Sequence, residues 1–254
     1  NRADDIRHDF YRPAGFHHFK AGLDGRGALV AFRDHFVTPG SGDGAASSAL
    51  AGPDEFPSRF VADMEFAASF IPTGVPTGPL RAPESNGLAF AFQSFIDELA
   101  HAAKRDPLQF RLDLLGEPRI LDSADDRYGP QPDFDTGRMR AVLELVREES
   151  GWDARRQLPQ GTGMGTAFYY SHMGYFAEVV QVTVGGGGTF KVDKVWVAAD
   201  VGSQIINPIG AENQVQGAPL DGIGQALLAV NIENGRTVQS NFHDYSLLRI
   251  NQAP

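Results

Sequence analysis

Polar and apolar positions alternate in part from His18 to Val37, and Asp24-Gly25 interrupts them, which predicts strand structure over residues 1–37 with a hairpin at that dipeptide. Residues 38–58 lose the alternation. Thr38-Pro39-Gly40-Ser41-Gly42-Asp43-Gly44, followed by Pro53 and Pro57, reads as a long surface loop. Pro72, Pro76, Pro79 and Pro83 with Gly74, Gly78 and Gly87 mark a second, shaped loop. The period then becomes helical. Phe90, Phe92, Phe95, Ile96, Leu99 and Ala103 place one apolar face on a helix from about Leu88 to Lys104. Asp106-Pro107 is an N-cap followed by a first-turn proline, and Gly116 and Pro118 end the helix it starts. Asp135-Thr136 caps a third helix, Gly137 to Glu149.

Strand character returns at Phe176–Val184 and Thr189–Ala199, on either side of Gly185-Gly186-Gly187-Gly188. A helix is expected over Glu212 to Val230, a turn at Asn234-Gly235, and strand from Thr237 to Ile250. Strands, helices, strands, helix and strands in runs predict an α+β fold with mixed β-sheets and packed helices, not a doubly wound sheet. The expected division is a strand-plus-helix part, 1–158, and a β-rich part with one helix, 159–254; one continuous domain is the alternative.

Composition narrows the chemistry. The chain of 254 residues has 22 basic and 32 acidic side chains, a net charge of −10, which argues against nucleic acid as a partner. It contains no cysteine, which removes disulfides, thiolate nucleophiles and Cys-ligated clusters. No apolar run is long enough to span a membrane. The start at Asn1 with no signal-peptide core suggests a piece of something longer, and the compartment, periplasmic or cytoplasmic, is left open.

Most conspicuous residues have plain structural readings. Gly161-Thr162-Gly163-Met164-Gly165 resembles part of a dinucleotide loop but precedes a strand-like run instead of a helix. His17 and His18 would face opposite sides of a strand, and no histidine pattern suggests a metal site. Asp97-Glu98 reads as a solvated helix face, and Asp125-Asp126 as a loop pair able to hold a cation only weakly. Two stretches point to a ligand. Gly78 to Gly87 puts Arg81, with its rigid fork of donors, in a loop just before a helix start. Asp200 to Pro208, followed by Gln214-Val215-Gln216-Gly217, runs from a strand through a turn to a helix carrying amide side chains.

In order along the chain these stretches resemble the molybdopterin-binding large subunit of the molybdenum hydroxylases, the xanthine dehydrogenase and aldehyde oxidase family, of the isoquinoline 1-oxidoreductase beta-subunit type. The resemblance is carried by Asp4-Asp5-Ile6-Arg7-His8-Asp9-Phe10-Tyr11-Arg12-Pro13, Ala21-Gly22-Leu23-Asp24, Leu80-Arg81-Ala82-Pro83 and Phe95-Ile96-Asp97-Glu98-Leu99-Ala100. It continues through Asp106-Pro107, Phe110-Arg111-Leu112, Ala199-Asp200-Val201-Gly202, Ile206-Asn207-Pro208, Gln214, Gly217 and Asn241-Phe242-His243-Asp244-Tyr245.

That resemblance implies a molybdopterin-binding-domain-like fold and a molybdenum–pterin cofactor, as the cytosine dinucleotide. It implies hydroxylation of an aldehyde or N-heterocycle carbon with water-derived oxygen, and a separate small Fe–S subunit as partner. It also assigns Gly78, Leu80, Arg81, Ala82, Gln214 and Gly217 to the cofactor region. The family's glutamate base belongs to a motif beyond the matched segment, so no catalytic residue is assigned, and the piece alone is expected to be inactive and to self-associate through uncovered apolar surface. Val201 stands where the family often has Cys, read here as filling a buried strand position, and Gly217-Ala218 replaces a Gly-Gly pair. These departures keep open a non-catalytic binding or scaffold paralogue of the same fold. A hydrolase built on Ser and His is a third reading.

Overall fold

The computed structural model describes residues 4–5, 8–42, 44–52, 54–123 and 133–254. Asp125 and Asp126 lie outside them. β1 (Phe16–Leu23) and β2 (Leu29–Ser41) form the expected antiparallel hairpin, in register from Phe16 opposite Val37 to Gly22 opposite Ala31. Asp24 closes its turn: Oδ1 accepts from the N–H groups of Arg26 at 2.8 Å and Ala28 at 2.9 Å. Those two donors, Ala28 first, hold the carboxyl below its ordinary pKa.

The 38–58 loop is corrected in part. β2 runs on to Ser41 and pairs with β3 (Gly44–Ala45). Gly40 is needed for close approach, since a Cβ there would stand 2.4 Å from the Gly44 carbonyl oxygen. Residues beyond β3 cross over to β4 (Asp63–Ile71), which joins β2 in parallel. A parallel return needs such a long connection. It is pinned inward by buried Ala49, Phe56 and Val61, and the buried Thr38 hydroxyl donates to the Ala49 carbonyl at 2.7 Å.

α1 (Ser85–Ala102) lies on this sheet and buries Leu88, Phe92, Gln93, Ile96, Leu99 and Ala100. Phe92 and Phe95 meet Phe19 at ring-centroid distances of 5.1 and 4.8 Å. Phe90, expected on the same face, is 77% exposed. Two residues of helix turn through about 200°, so Phe90 and Phe92 face opposite ways. α2 (Pro107–Leu115) begins as expected, the Asp106 carboxylate accepting from the Gln109 N–H at 2.8 Å, and ends at Gly116 with φ +69°.

β5 (Ile120–Leu121) and β6 (Phe134–Asp135) form a short antiparallel pair before α3 (Thr136–Glu149). Asp135 caps α3 through the N–H groups of Gly137 and Arg138. A three-stranded antiparallel meander follows: β7 (Thr162–Ser171), β8 (Gly174–Val184) and β9 (Phe190–Asp200). α3 packs on β8 and β9. One hydrophobic cluster joins both sheets and the first three helices, running from Leu29 and Phe32 through Phe92, Leu108 and Leu143 to Trp152, Val179 and Ala198. The expectation of an α+β fold with mixed sheets and packed helices holds.

The last fifty residues differ in kind. α4 (Pro208–Leu227) starts four residues before the expected Glu212, because Asn207 caps it by accepting from the Gly210 N–H at 3.0 Å. None of its residues is buried. β10 (Ile232–Glu233) and β11 (Arg236–Thr237) flank Asn234-Gly235, both at positive φ, as a tight hairpin turn requires. Of the strand expected from Thr237 to Ile250 only the start forms: Thr237 ends β11, and the Val238 N–H donates to the Asn231 carbonyl at 2.8 Å. Beyond it no described strand lies alongside, and the Asp244 carboxylate instead gathers the N–H groups of Ser240 and Asn241 into a local turn. Those two contacts, Asn241 first, lower its pKa to about 2.

Candidate functional site

The loop from β4 to α1 is shaped by more than its own prolines. Tyr11 runs alongside it as a single parallel bridge to Thr77: the Tyr11 N–H donates to the Pro76 carbonyl at 2.9 Å, and the Gly78 N–H donates to the Tyr11 carbonyl at 3.1 Å. Gly78 is buried there, and a Cβ on it would stand 2.8 Å from the Phe10 Cβ. Its part in the structure is thus to let residues 10–12 lie against the loop. Leu80 and Arg81 then rise out of it, each about half exposed. Ala82 follows in the left-handed region at φ +53°, an unusual conformation for alanine and more so before a proline, which favours extended backbone at the preceding residue.

α4 faces this loop. Gln214, Gly217, Asp221 and Gln225 recur three or four positions apart, so they share one side of the helix. Arg81 reaches two side chains seven residues, about two turns, apart on that side: Nη2 lies 3.5 Å from Gln214 Oε1, and Nη1 lies 3.9 Å from an Asp221 carboxylate oxygen. These are long, solvent-accessible contacts that leave the guanidinium available to a ligand. Gly217 has no heavy atom within 4 Å of where a Cβ would stand, so the helix backbone is open at that point. Of the six residues expected at the site, Arg81 and Gln214 are brought together, Gly217 shares the Gln214 side of α4, Leu80 and Ala82 flank Arg81 in the loop, and Gly78 supports that loop from beneath.

Two residues of this network, Asp221 and Gln225, were not singled out from the sequence. Asn86 figured only within the stretch Gly78 to Gly87, and Arg12 only within the family-like string at the start of the chain. The Arg12 guanidinium donates to three consecutive carbonyls, those of Arg81 at 2.7 Å, Ala82 at 2.8 Å and Pro83 at 3.0 Å, and to Gln225 Oε1 at 3.3 Å. Burial pulls its pKa down and Asp221 opposes that pull. Gln225 Oε1 also accepts from Asn86 at 2.9 Å, and Gln225 Nε2 donates to Asp221. Nothing in local spacing could have linked residue 12 with residues 81–83 and 225, because the contact is purely tertiary.

The other singled-out residues take structural places. Asp200 receives Arg138 in a two-pronged pair, Nε at 2.8 Å and Nη2 at 2.7 Å, and accepts from the Gly202 N–H at 3.0 Å. The Arg138 hydrogen bond is the main reason its pKa falls to about 2. Arg138 in turn lies over the Tyr175 ring at 4.3 Å. This anchor fixes where the chain leaves β9 for α4. Val201 just past it is 52% exposed, so the expected buried strand position is corrected: β9 has already ended. Asp97 is more than a solvated charge, since it pairs with fully buried Arg111 at 2.7 Å.

Gly161 to Gly165 leads into β7, with Gly163 opposite Val182 and Gly165 opposite Val180, and no helix follows. His17 pairs with Asp34 at 2.8 Å beneath the Phe36 ring, while His18 faces solvent. Ser69 bonds His35, and Ser171 bonds His172; neither histidine has an acidic third partner among the described residues. Among those residues no three His, Asp or Glu side chains converge as a metal site. No helix among the described residues is long and apolar enough to cross a membrane. A cleft of about 500 Å³ opens beside the loop, with Pro79, Pro83, Phe56, Phe168 and Tyr170 in its walls. Burial raises the Tyr170 phenol to about 12, so it stays protonated at neutral pH.

The chain resembles known proteins in sequence over 65–70% of its length and in fold over all of it. It is 34% identical over 186 residues to a membrane-bound aldehyde dehydrogenase (pyrroloquinoline-quinone) of Gluconacetobacter polyoxogenes, a match covering 70% of this chain and 23% of that protein. It is 31% identical over 169 residues to the isoquinoline 1-oxidoreductase subunit beta of Brevundimonas diminuta, covering 65% and 19%. The chain thus spans less than a quarter of the length of these relatives. The quinoline 2-oxidoreductase of Pseudomonas putida 86 shares the fold, with a TM-score of 0.75 at 12% identity over all of this chain and 56% of that one. The family model described as a molybdopterin cofactor-binding domain matches residues 123–254, over half of the chain and including β7 to β9 and α4. The chain belongs to the molybdopterin cofactor-binding domain family.

Proposed function

We propose that this chain is part of the large subunit of a molybdenum hydroxylase, an oxidoreductase that hydroxylates an aldehyde or N-heterocycle carbon with oxygen from water. One observation carries the reading: the Arg81 loop, which lies before the family-matched segment, is joined through Gln214, Asp221 and Gln225 to α4 within it. Two regions that the sequence suggested separately thereby form one site.

The residues fit a pterin carrying a phosphate group. The Arg81 guanidinium offers planar donors and positive charge to phosphate. The Gln214 amide offers both a donor and an acceptor to a ring edge. Gly217, with open space where a side chain would stand, lets a flat group approach the helix backbone. When bound, a molybdenum–pterin group, here the cytosine dinucleotide form, supplies the oxygen and electron chemistry that protein side chains lack. The chain's own share is to bind and orient. The neighbouring cleft has aromatic walls on which a flat substrate can stack, beside the charged side chains of Asp54, Glu55, Arg59 and Glu84.

A small Fe–S subunit is the partner in this reading. The uncovered apolar side chains Ile205, Ile206, Ile209 and Ile250 make self-association of the isolated chain the expected behaviour. The reaction is tested with the full-length subunit and its small partner, offered isoquinoline and benzaldehyde with an artificial electron acceptor in ¹⁸O-enriched water. A product carrying the heavy oxygen from solvent is the expected result. Turnover with no solvent label contradicts the hydroxylase, and a folded complex that holds the cofactor but turns over neither compound removes this substrate class.

A further inference from the structure

Arg12 makes more contacts with the candidate site than any residue the site was first built from. Its two terminal nitrogens reach the carbonyls of residues 81, 82 and 83 and the side chain of Gln225 on α4. The middle carbonyl belongs to Ala82, the one residue of the loop at positive φ. An alanine at φ +53° persists only where its surroundings over-determine it. The surroundings here are the Arg12 fork on one side and, on the other, Asn86 at the first turn of α1, whose backbone N–H donates to the Ala82 carbonyl at 3.2 Å and whose side-chain amide donates to Gln225. Phe10 and Tyr11 set the approach, packing on Gly78 and bridging to Thr77. The fork geometry matters: five donors in a plane can serve three successive carbonyls and an amide together, whereas an ammonium is a compact point charge.

We propose that Arg12 is a positioning residue of this site, holding the loop with Ala82 left-handed so that Arg81 stands over the Gln214–Gly217 face of α4. The part that concerns cofactor retention rests on the function proposed above; the part that concerns the loop does not. Arg12 acts through residues 81–83 and through Gln225 on α4. Its removal takes the guanidinium donor from the carbonyls of residues 81–83, leaves only the Asn86 N–H at 3.2 Å on the Ala82 carbonyl, and lets Ala82 relax to an extended conformation, which carries the Arg81 side chain away from α4.

The test is hydrogen exchange, followed by mass spectrometry, in the full-length subunit purified with its small partner. The wild type is compared with Arg12→Ala, Arg12→Lys and the double variant Arg12→Ala/Ala82→Gly. In Arg12→Ala, peptides spanning residues 76–88 exchange about tenfold faster, while peptides from β7 to β9 keep the wild-type rate. Arg12→Lys lies between the two and keeps the question answerable if the alanine variant does not fold. The double variant recovers part of the protection, because glycine adopts positive φ without the cost of a Cβ. A uniform rise across the chain, a change in 76–88 of less than about twofold, or no recovery with glycine would each overturn the proposal. Molybdenum measured in the same samples separates the two claims. Its absence from the wild type removes the function reading and leaves the exchange result to judge Arg12 alone. A wild-type level in Arg12→Ala despite faster exchange shows the loop position to be irrelevant to retention and overturns the cofactor part.

Discussion

Arg111→Ala lowers the unfolding free energy by about 3–5 kcal/mol, the range for breaking a buried ionic group. Arg111 is fully buried between α1 and α2. Its Nε donates to Gln93 Oε1 at 2.8 Å, Nη2 to the Gln93 carbonyl at 2.9 Å, and Nη1 to Asp97 at 2.7 Å and the Pro107 carbonyl at 3.0 Å. Truncation leaves a cavity the length of the side chain and strands Gln93, itself buried, without its partner. Burial lowers the Arg111 pKa and Asp97 opposes it, so the cost of burying the charge is already part of the native state. Removing charge and partner together should therefore cost much less. Arg111→Met/Gln93→Leu fills the same volume with apolar atoms and releases half-exposed Asp97 to water; it is expected within about 1–2 kcal/mol of wild type. Urea denaturation of the three proteins checks this. A double variant as unstable as Arg111→Ala would show that the polar contacts, and not the packing of α1 on α2, hold this layer.

Trp152→Ala is the second large loss, about 3–5 kcal/mol. Trp152 is completely buried at the start of the 3₁₀ stretch Trp152–Gln157 that follows α3, and its indole N–H reaches the Asp106 carboxylate at 3.0 and 3.2 Å. The Arg155 guanidinium lies over its ring at 4.1 Å and also contacts Asp106. Asp106 thus caps α2, receives the indole and pairs with Arg155 at once. Burial alone would raise its pKa, but the Gln109, Trp152 and Arg155 contacts outweigh burial and lower it. Trp152→Phe separates the contributions. It keeps most of the buried ring and loses only the N–H, so about 1–2 kcal/mol is expected. Equal losses for the alanine and phenylalanine variants would place the energy in the hydrogen bond instead of the packing.

Where local chemistry decides structure, the sequence was readable. Asp106-Pro107, Asp135-Thr136, Asp24-Gly25 and Asn234-Gly235 act within a few residues of themselves, and each sits where its chemistry places it. β4 and the continuation of β2 were not legible, because Pro39 and Gly40 look like breakers until the close approach of β3 and the parallel partner are known. The strand expected after Thr237 failed for the converse reason: its residue types suit a strand, but no neighbour supplies the ladder. At the site, Arg81 and Gln214 were each identifiable from residue type and loop position. Their meeting across 133 residues of sequence, and the Arg12 fork beneath them, belong to the fold alone.

Metal analysis of the full-length protein, purified with any small subunit that accompanies it, decides whether this chain helps hold a molybdenum–pterin group. About one molybdenum per chain, with cytidine monophosphate released by acid, is expected. A folded complex that stays free of molybdenum after expression in a host shown to load a related hydroxylase would contradict it, and would favour a scaffold that keeps the fold without the cofactor.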